Sequence, residues 1–167
     1  MLLSGCGGIG TTHPSLTVTP TRAGTPTPAG VAAPKWGVQT KTAGCVIRDH
    51  LPDPACTPGD ILSKATVGQV CTAGYASAER NVSQSLKNQV YAEYGITSRL
   101  PGQYEVDHLV NLANLWPQPA TPVPGYREKN RVENYLQSQV CSGVLSLRVA
   151  EIEMATNWVA VYHHMPT

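Results

Sequence analysis

The stretch that decides the fold is residues 104–117, which read YEVDHLVNLANLWP. Residues 104–110 mix apolar and polar side chains with β-branched ones, and 112–116 form a second short apolar run that Pro117 ends. Two such runs separated by a few residues are typical of a hairpin. The sequence therefore predicts two short antiparallel strands, with Asp107 and His108 at the end of the first.

Three stretches show the apolar spacing of helices, bounded by serine caps or glycine stops, and they are 83–94, 126–140 and 146–163. The residues expected to face the core are Leu86, Val90, Tyr91 and Tyr94 in the first, Val132, Tyr135, Leu136 and Val140 in the second, and Val149, Ile152, Ala155, Val159 and Tyr162 in the third. Residues 35–75 are dense in proline, glycine and threonine and are predicted to be loops with one or two short strands. The order indicates a small α+β domain without repeats.

Composition limits the kinds of function. Charged residues make up 14% of the 167 residues, below the about 25% of average proteins. The formal net charge of +1 does not attract polyanions strongly, so a nucleic-acid role would need a local basic patch. No run approaches the roughly 18 apolar residues needed to span a bilayer.

The start of the chain indicates export. Residues 3–6, Leu-Ser-Gly-Cys, resemble the lipobox of bacterial lipoproteins, which makes Cys6 the expected lipidation site and membrane anchor. Only five residues precede Cys6, which is short for a signal peptide, so the true start is expected upstream. Residues 7–34 are rich in Thr, Pro and Gly and read as a disordered tether to a domain at 35–167. The alternative is an incidental cysteine.

Four further cysteines are Cys45, Cys56, Cys71 and Cys141. Their spacing does not match a zinc site, and an even set in an exported chain argues for disulfides. Four cysteines allow three pairings, and sequence alone does not choose among them. A bridge that closes the turn-rich loop from Cys45 to Cys56 would leave Cys71 with Cys141.

The chemistry is concentrated at the hairpin. A carboxylate such as Asp107 is the oxygen ligand that a hard divalent cation prefers. The neighbouring His108 titrates near neutrality and is suited to accept a proton from water. Together they indicate metal-assisted hydrolysis.

At these residues the sequence resembles the HNH (His-Me finger) nuclease superfamily, and more closely a group of small exported bacterial proteins with an HNH-like centre. The resemblance spans about 45–162, and its matching segments are 51–59, 70–75, 91–95, 107–110, 114–117, 129–134 and 140–143. It implies a ββα-metal hairpin-helix core, one divalent cation, usually Mg²⁺, and hydrolysis of phosphodiester bonds in DNA or RNA. It further implies that Asp107 holds the metal, that His108 is the general base, and that Asn114 braces the hairpin and orients His108.

The helix after the hairpin is expected to complete the site. Its candidate metal ligands are Glu128 and Asn130, and its candidate phosphate-binding residues are Arg127, Lys129 and Arg131. The alternative for the three cations is a solvated helical face, because Glu128 and Glu133 lie beside them.

Two functions from different classes remain open. One is an exported, monomeric, metal-dependent nuclease. The other is a non-catalytic surface domain that keeps the scaffold, favoured by the near-neutral charge and by the five residues that separate His108 from Asn114. A cell-wall hydrolase or binding lipoprotein is a weaker third, without a paired-carboxylate signature. Trp116 and Trp158 are assigned to the core.

Overall fold

The computed structural model describes residues 37–60, 64–75, 82–109 and 115–166. These residues contain four helices and one two-stranded antiparallel sheet, which confirms the α+β class. The elements are α1 (Val67–Val70), α2 (Gln84–Glu93), β1 (Tyr104–His108), β2 (Leu115–Pro119), α3 (Tyr126–Cys141) and α4 (Leu147–His164). The expected lipobox at Cys6 and the tether at 7–34 lie outside the described residues.

The hairpin is present, and its second strand runs further than predicted. β1 and β2 pair antiparallel, ending with His108 opposite Leu115. β1 matches the first predicted strand, and β2 continues past Trp116 to Pro119. The prediction that Pro117 ends this strand was wrong, and residues 112–114 of the predicted strand lie outside the described residues.

Both prolines of β2 fit the strand because their nitrogens lie on its outer edge. The N–H of Ala120 donates to the carbonyl of Gln103 at 2.9 Å, so even-numbered residues direct their N–H groups toward β1. N–H groups alternate in direction along a strand, which places the nitrogens of Pro117 and Pro119 away from β1, where no hydrogen needs to be donated.

Helix α2 confirms the prediction at 83–94. Ser83 caps it, since its Oγ accepts a hydrogen bond from the N–H of Leu86 at 3.2 Å. Gly95, in the left-handed conformation at φ +67°, follows its end. Of the predicted apolar face, Leu86 is exposed and the other three residues are buried.

Helix α3 confirms the prediction at 126–140 and is fixed closely to the hairpin. Val132, Leu136 and Val140 are buried, as the spacing predicted. A Cβ atom on Gly125 would lie only 2.5 Å from the carbonyl oxygen of Ala120. Glycine is therefore required for α3 to begin this close to the end of β2.

Helix α4 begins where predicted, but the face it buries differs in part from the expected one. Val149 and Ile152 of the expected face are 41% and 36% exposed, whereas Ala150, Met154 and Trp158 are buried. Val159 and Tyr162 pack against the core as expected, so the prediction was wrong for the first half of the helix.

A break at Asn157 explains this difference. Its backbone is non-helical, with φ −164° and ψ 70°. Its side-chain oxygen accepts a hydrogen bond from the N–H of Ala160 at 3.1 Å, as an N-cap residue does. The prediction assumed one unbroken helix, whereas residues before and after Asn157 do not share one helical phase.

The core gathers around two tryptophans. Trp116 of β2 and Trp158 of α4 are fully buried, which confirms their assignment to the core. The other buried members are Cys45, Cys56, Tyr94, Leu109, Val132, Leu136, Val140, Ala150 and Met154. The hairpin, the loop before α1 and three helices therefore share one apolar interior.

Two disulfides secure the loop-rich part of the domain. Cys45 pairs with Cys56 and Cys71 with Cys141, which confirms the disulfides expected from the sequence. The loop-entropy model gives the bridge across 70 residues about 4 kcal/mol of stabilisation. The described residues before α2 contain the short helix α1 and no strand, so the loop prediction is largely confirmed.

Candidate functional site

Asp107 lies near the end of β1 and is only 8% exposed. One carboxylate oxygen, Oδ1, accepts a hydrogen bond from the N–H of His108 at 2.8 Å. The other, Oδ2, accepts one from Nζ of Lys129 at 2.6 Å. Both oxygens of the expected metal ligand are therefore engaged by the protein itself.

Lys129 reaches Asp107 from the first turns of α3 and is fully buried. Its ammonium also pairs with the carboxylate of Glu133, one helical turn further along. Burial alone would lower the pKa of Lys129, but the charges of Glu133 and Asp107 outweigh it and raise that pKa. This buried position corrects the expected one, because a fully buried ammonium is not presented to a substrate phosphate.

The sequence analysis did not predict that Lys129 forms a buried ion pair with Asp107, although the sequence contains a signal for it. Lys129 and Glu133 have the i, i+4 spacing of a helical ion pair. Around the helix each of them lies within about 100° of Val132 and of Leu136, on the side that the apolar pattern turns inward. A lysine on that side requires a buried carboxylate partner.

His108 is half-buried and is the last residue of β1. Successive side chains of a strand point to opposite faces, so Asp107 and His108 leave β1 on different faces of the hairpin. A molecule that contacts both must lie at the carboxyl end of β1. Asn114, the residue expected to orient His108, lies outside the described residues.

The two candidate metal ligands on α3 are Glu128 and Asn130, and Glu128 makes a contact within the protein. Glu128 accepts a hydrogen bond from the N–H of Gly125 at 2.8 Å and thereby helps to start the helix. Asn130 is half-buried and follows Lys129 directly. In 37–60, 64–75, 82–109 and 115–166 no group of three His, Cys, Asp or Glu side chains is placed to hold a metal. Because both oxygens of Asp107 are already engaged by protein groups, the described donors do not fit the expected Mg²⁺, and we assign no step of a reaction to a metal.

Arg127 and Arg131 are both exposed and lie two residues to either side of Lys129. Two residues correspond to about 200° around a helix, which places both arginines on the side of α3 away from Asp107. The guanidinium of Arg127 lies 4.8 Å from the ring of Tyr126, and that of Arg131 lies 5.9 Å from the ring of Tyr162. Two of the three expected phosphate-binding residues, Arg127 and Arg131, thus form an outer surface, separate from Asp107.

Unpaired polar atoms lie on the same face of the hairpin as Asp107. Trp116 is the cross-strand partner of Asp107, and Gln118 is that of Glu105. Among the described residues, the side-chain amide of Gln118 and the indole N–H of Trp116 are buried without a hydrogen-bond partner. An unpaired buried amide is destabilising, so this face is not optimised for stability.

Comparisons of the chain with protein-family models, with curated proteins and with solved structures found no match.

Proposed function

We propose that this domain hydrolyses phosphodiester bonds of DNA or RNA, at a site centred on Asp107 and His108. The observation that supports the proposal is the order of the elements, in which Asp107 and His108 end β1, β2 pairs with it and α3 follows. The resemblance to the HNH superfamily implies a core of this order, two strands and then a helix. It also implies the pair of a carboxylate and an imidazole at the end of the first strand.

In this proposal the substrate lies at the carboxyl end of β1, where one molecule can contact both Asp107 and His108. His108 accepts the proton of the attacking water, because an imidazole titrates near neutral pH. Asp107 holds the backbone of His108 through the hydrogen bond from its N–H to Oδ1. The Lys129 ammonium in turn holds Asp107.

A cleavage assay tests the proposal. The full chain is incubated with plasmid DNA and with RNA, with Mg²⁺ or with a chelator, beside the variants His108→Ala and His163→Ala. His163 is an exposed histidine in the last turn of α4 and serves as the matched control. We expect cleavage by the wild type and by the control, and a loss of about 100-fold or more in His108→Ala. Cleavage that His108→Ala leaves unchanged would refute the proposal.

A second candidate is a non-catalytic surface domain that keeps the scaffold. The observation that favours it is the engagement of both Asp107 oxygens by groups of the protein. Absence of cleavage with and without Mg²⁺, from a preparation with both disulfides formed, would select this candidate.

We also propose that the chain is exported and anchored through Cys6. The two disulfides are compatible with an extracellular or secreted protein. Among the described residues, no helix has the length and apolar character to cross a membrane. Mass spectrometry of the peptide that contains Cys6, from cells that express the gene with its native upstream sequence, should detect a diacylglyceryl group. An unmodified Cys6 in the envelope fraction would remove the anchor.

A further inference from the structure

We infer that the ammonium of Lys129 occupies the position at Asp107 where a divalent cation would lie, so that the wild-type site holds a fixed internal cation and takes no metal there. Lys129 thus supplies the positive charge at the proposed site. The inference rests on the proposed function only for the location of that site. Its test measures metal binding and not hydrolysis.

Two carboxylates converge on one atom, Nζ of Lys129. Asp107 belongs to β1 and Glu133 to α3, and both place an oxygen within hydrogen-bonding distance of Nζ of Lys129. The distance of 2.6 Å to Asp107 is close to the 2.3–2.6 Å at which Ca²⁺ holds its oxygen ligands. Two carboxylates from different elements that meet at such a point form the start of a cation site, and here an ammonium fills it.

The ammonium of Lys129 also excludes a metal ion from Asp107. A metal ion bound to Oδ2 of Asp107 would lie within a few ångströms of Nζ, because both would share that oxygen. Two positive charges at such a separation in a region shielded from water repel strongly. Lys129 and a metal ion therefore cannot occupy the site together.

Burial keeps the ammonium of Lys129 in place. Lys129 is 0% exposed and Asp107 is 8% exposed. A lysine on a surface could swing away and admit an ion, but this ammonium is buried and held by two carboxylates. Removal of the ammonium would take away the positive charge that Asp107 and Glu133 share, and two carboxylates that converge in this way favour the uptake of a cation in its place.

Metal titration of the full chain tests the inference. Mn²⁺, Ca²⁺ and Mg²⁺ are each added to the wild type, to Lys129→Ala and to the double variant Lys129→Ala, Asp107→Asn, and the melting temperature and Mn²⁺ binding are measured. We expect no Mn²⁺ bound at Asp107 in the wild type. We expect Lys129→Ala to melt lower without metal, to recover partly with Mn²⁺ or Ca²⁺, and to bind Mn²⁺ about tenfold or more tighter than the wild type. The double variant should lose that gain.

A second measurement keeps the inference testable if Lys129→Ala does not fold. In the NMR spectrum of the wild type, Mn²⁺ should not selectively broaden the amide signals of 106–108 and 129–133. Selective broadening there, or a folded Lys129→Ala that binds no cation, overturns the inference. Absence of nucleic-acid cleavage together with the expected metal results would end the proposed function and leave the inference standing.

Discussion

The hydroxyl groups of Thr57 and Tyr94 lie 2.7 Å apart in the interior of the domain. Thr57 Oγ1 also donates to the carbonyl oxygen of Leu115 at 3.2 Å. Because a hydroxyl has a single hydrogen, the phenol of Tyr94 must be the donor to Thr57. This chain of hydrogen bonds links the residue after the Cys45–Cys56 bridge, the end of α2 and the first residue of β2, next to the candidate site.

The first prediction concerns alkaline pH and Tyr94. Burial raises the pKa of this phenol to about 12. The folded state therefore holds the phenolic proton more tightly than the unfolded state does. Its contribution to the free energy of unfolding is complete below about pH 10 and is lost as the pH rises through about 12.

Urea unfolding at pH 8–12 of the wild type and of Tyr94→Phe checks this prediction. Tyr94→Phe should be less stable by about 1 kcal/mol at pH 8, because Thr57 loses a partner. Its stability should fall less steeply between pH 10 and 12 than that of the wild type. Parallel curves would show that Tyr94 does not determine the alkaline limit.

The helix boundaries could be predicted from sequence because their determinants are local. Ser83 and Ser146 each cap the helix that follows, and the bonds from Leu86 and Val149 are made within four residues of chain. The disulfides could also be predicted, since an even set of four cysteines allows only three pairings. These features depend on short segments or on covalent chemistry.

Two of the errors depend on a partner distant in sequence, and the third depends on a break inside a helix. The extension of β2 through Pro117 depends on which edge β1 occupies. The position of Lys129 depends on Asp107, 22 residues earlier in the chain. The buried face of α4 depends on a backbone break at Asn157 that no periodicity reveals. Apolar spacing predicts that a face is buried, but not which charged group is buried with it.

The second prediction concerns Gln118, which is 1% exposed and has no hydrogen-bond partner for its amide among the described residues. Gln118→Met keeps the length of the side chain and removes the unpaired polar atoms. We expect it to raise the free energy of unfolding by about 1 kcal/mol or more. Gln118→Glu, the matched variant, should be strongly destabilising because it buries a carboxylate opposite Glu105. If Gln118→Met lowers the stability, the amide is bound to buried water.

The third prediction concerns the order in which the disulfides are reduced. Cys71 and Cys141 are exposed, whereas Cys45 and Cys56 are 5% and 2% exposed. A thiolate reductant must reach a sulfur atom to attack it, so limited reduction should open the Cys71–Cys141 bridge first. Alkylation and mass spectrometry after brief treatment with dithiothreitol should find Cys71 and Cys141 labelled and the other two unlabelled. Labelling of Cys45 and Cys56 first would contradict the burial, and four free thiols in the untreated protein would refute the bridges.

The last prediction concerns the outer surface of α3, where Arg127 and Arg131 lie exposed beside tyrosine rings. If these arginines contact phosphates, the double variant Arg127→Ala, Arg131→Ala should bind a single-stranded oligonucleotide more weakly than the wild type. Each lost phosphate contact should reduce the slope of log affinity against log salt by about 0.7, so the double variant should lose about 1.4. Fluorescence anisotropy at several salt concentrations measures both quantities.

The matched control for that surface is Arg48→Ala, which removes an exposed arginine from the loop between Cys45 and Cys56. It should leave the salt slope unchanged. Equal slopes for the wild type and the double variant would mean that the arginines are a solvated helical face. The two arginines of α3 lie about 200° around the helix from Lys129. A double variant that loses binding but keeps its stability would therefore assign the arginines to substrate capture. Asp107 and His108 would remain the site of any cleavage.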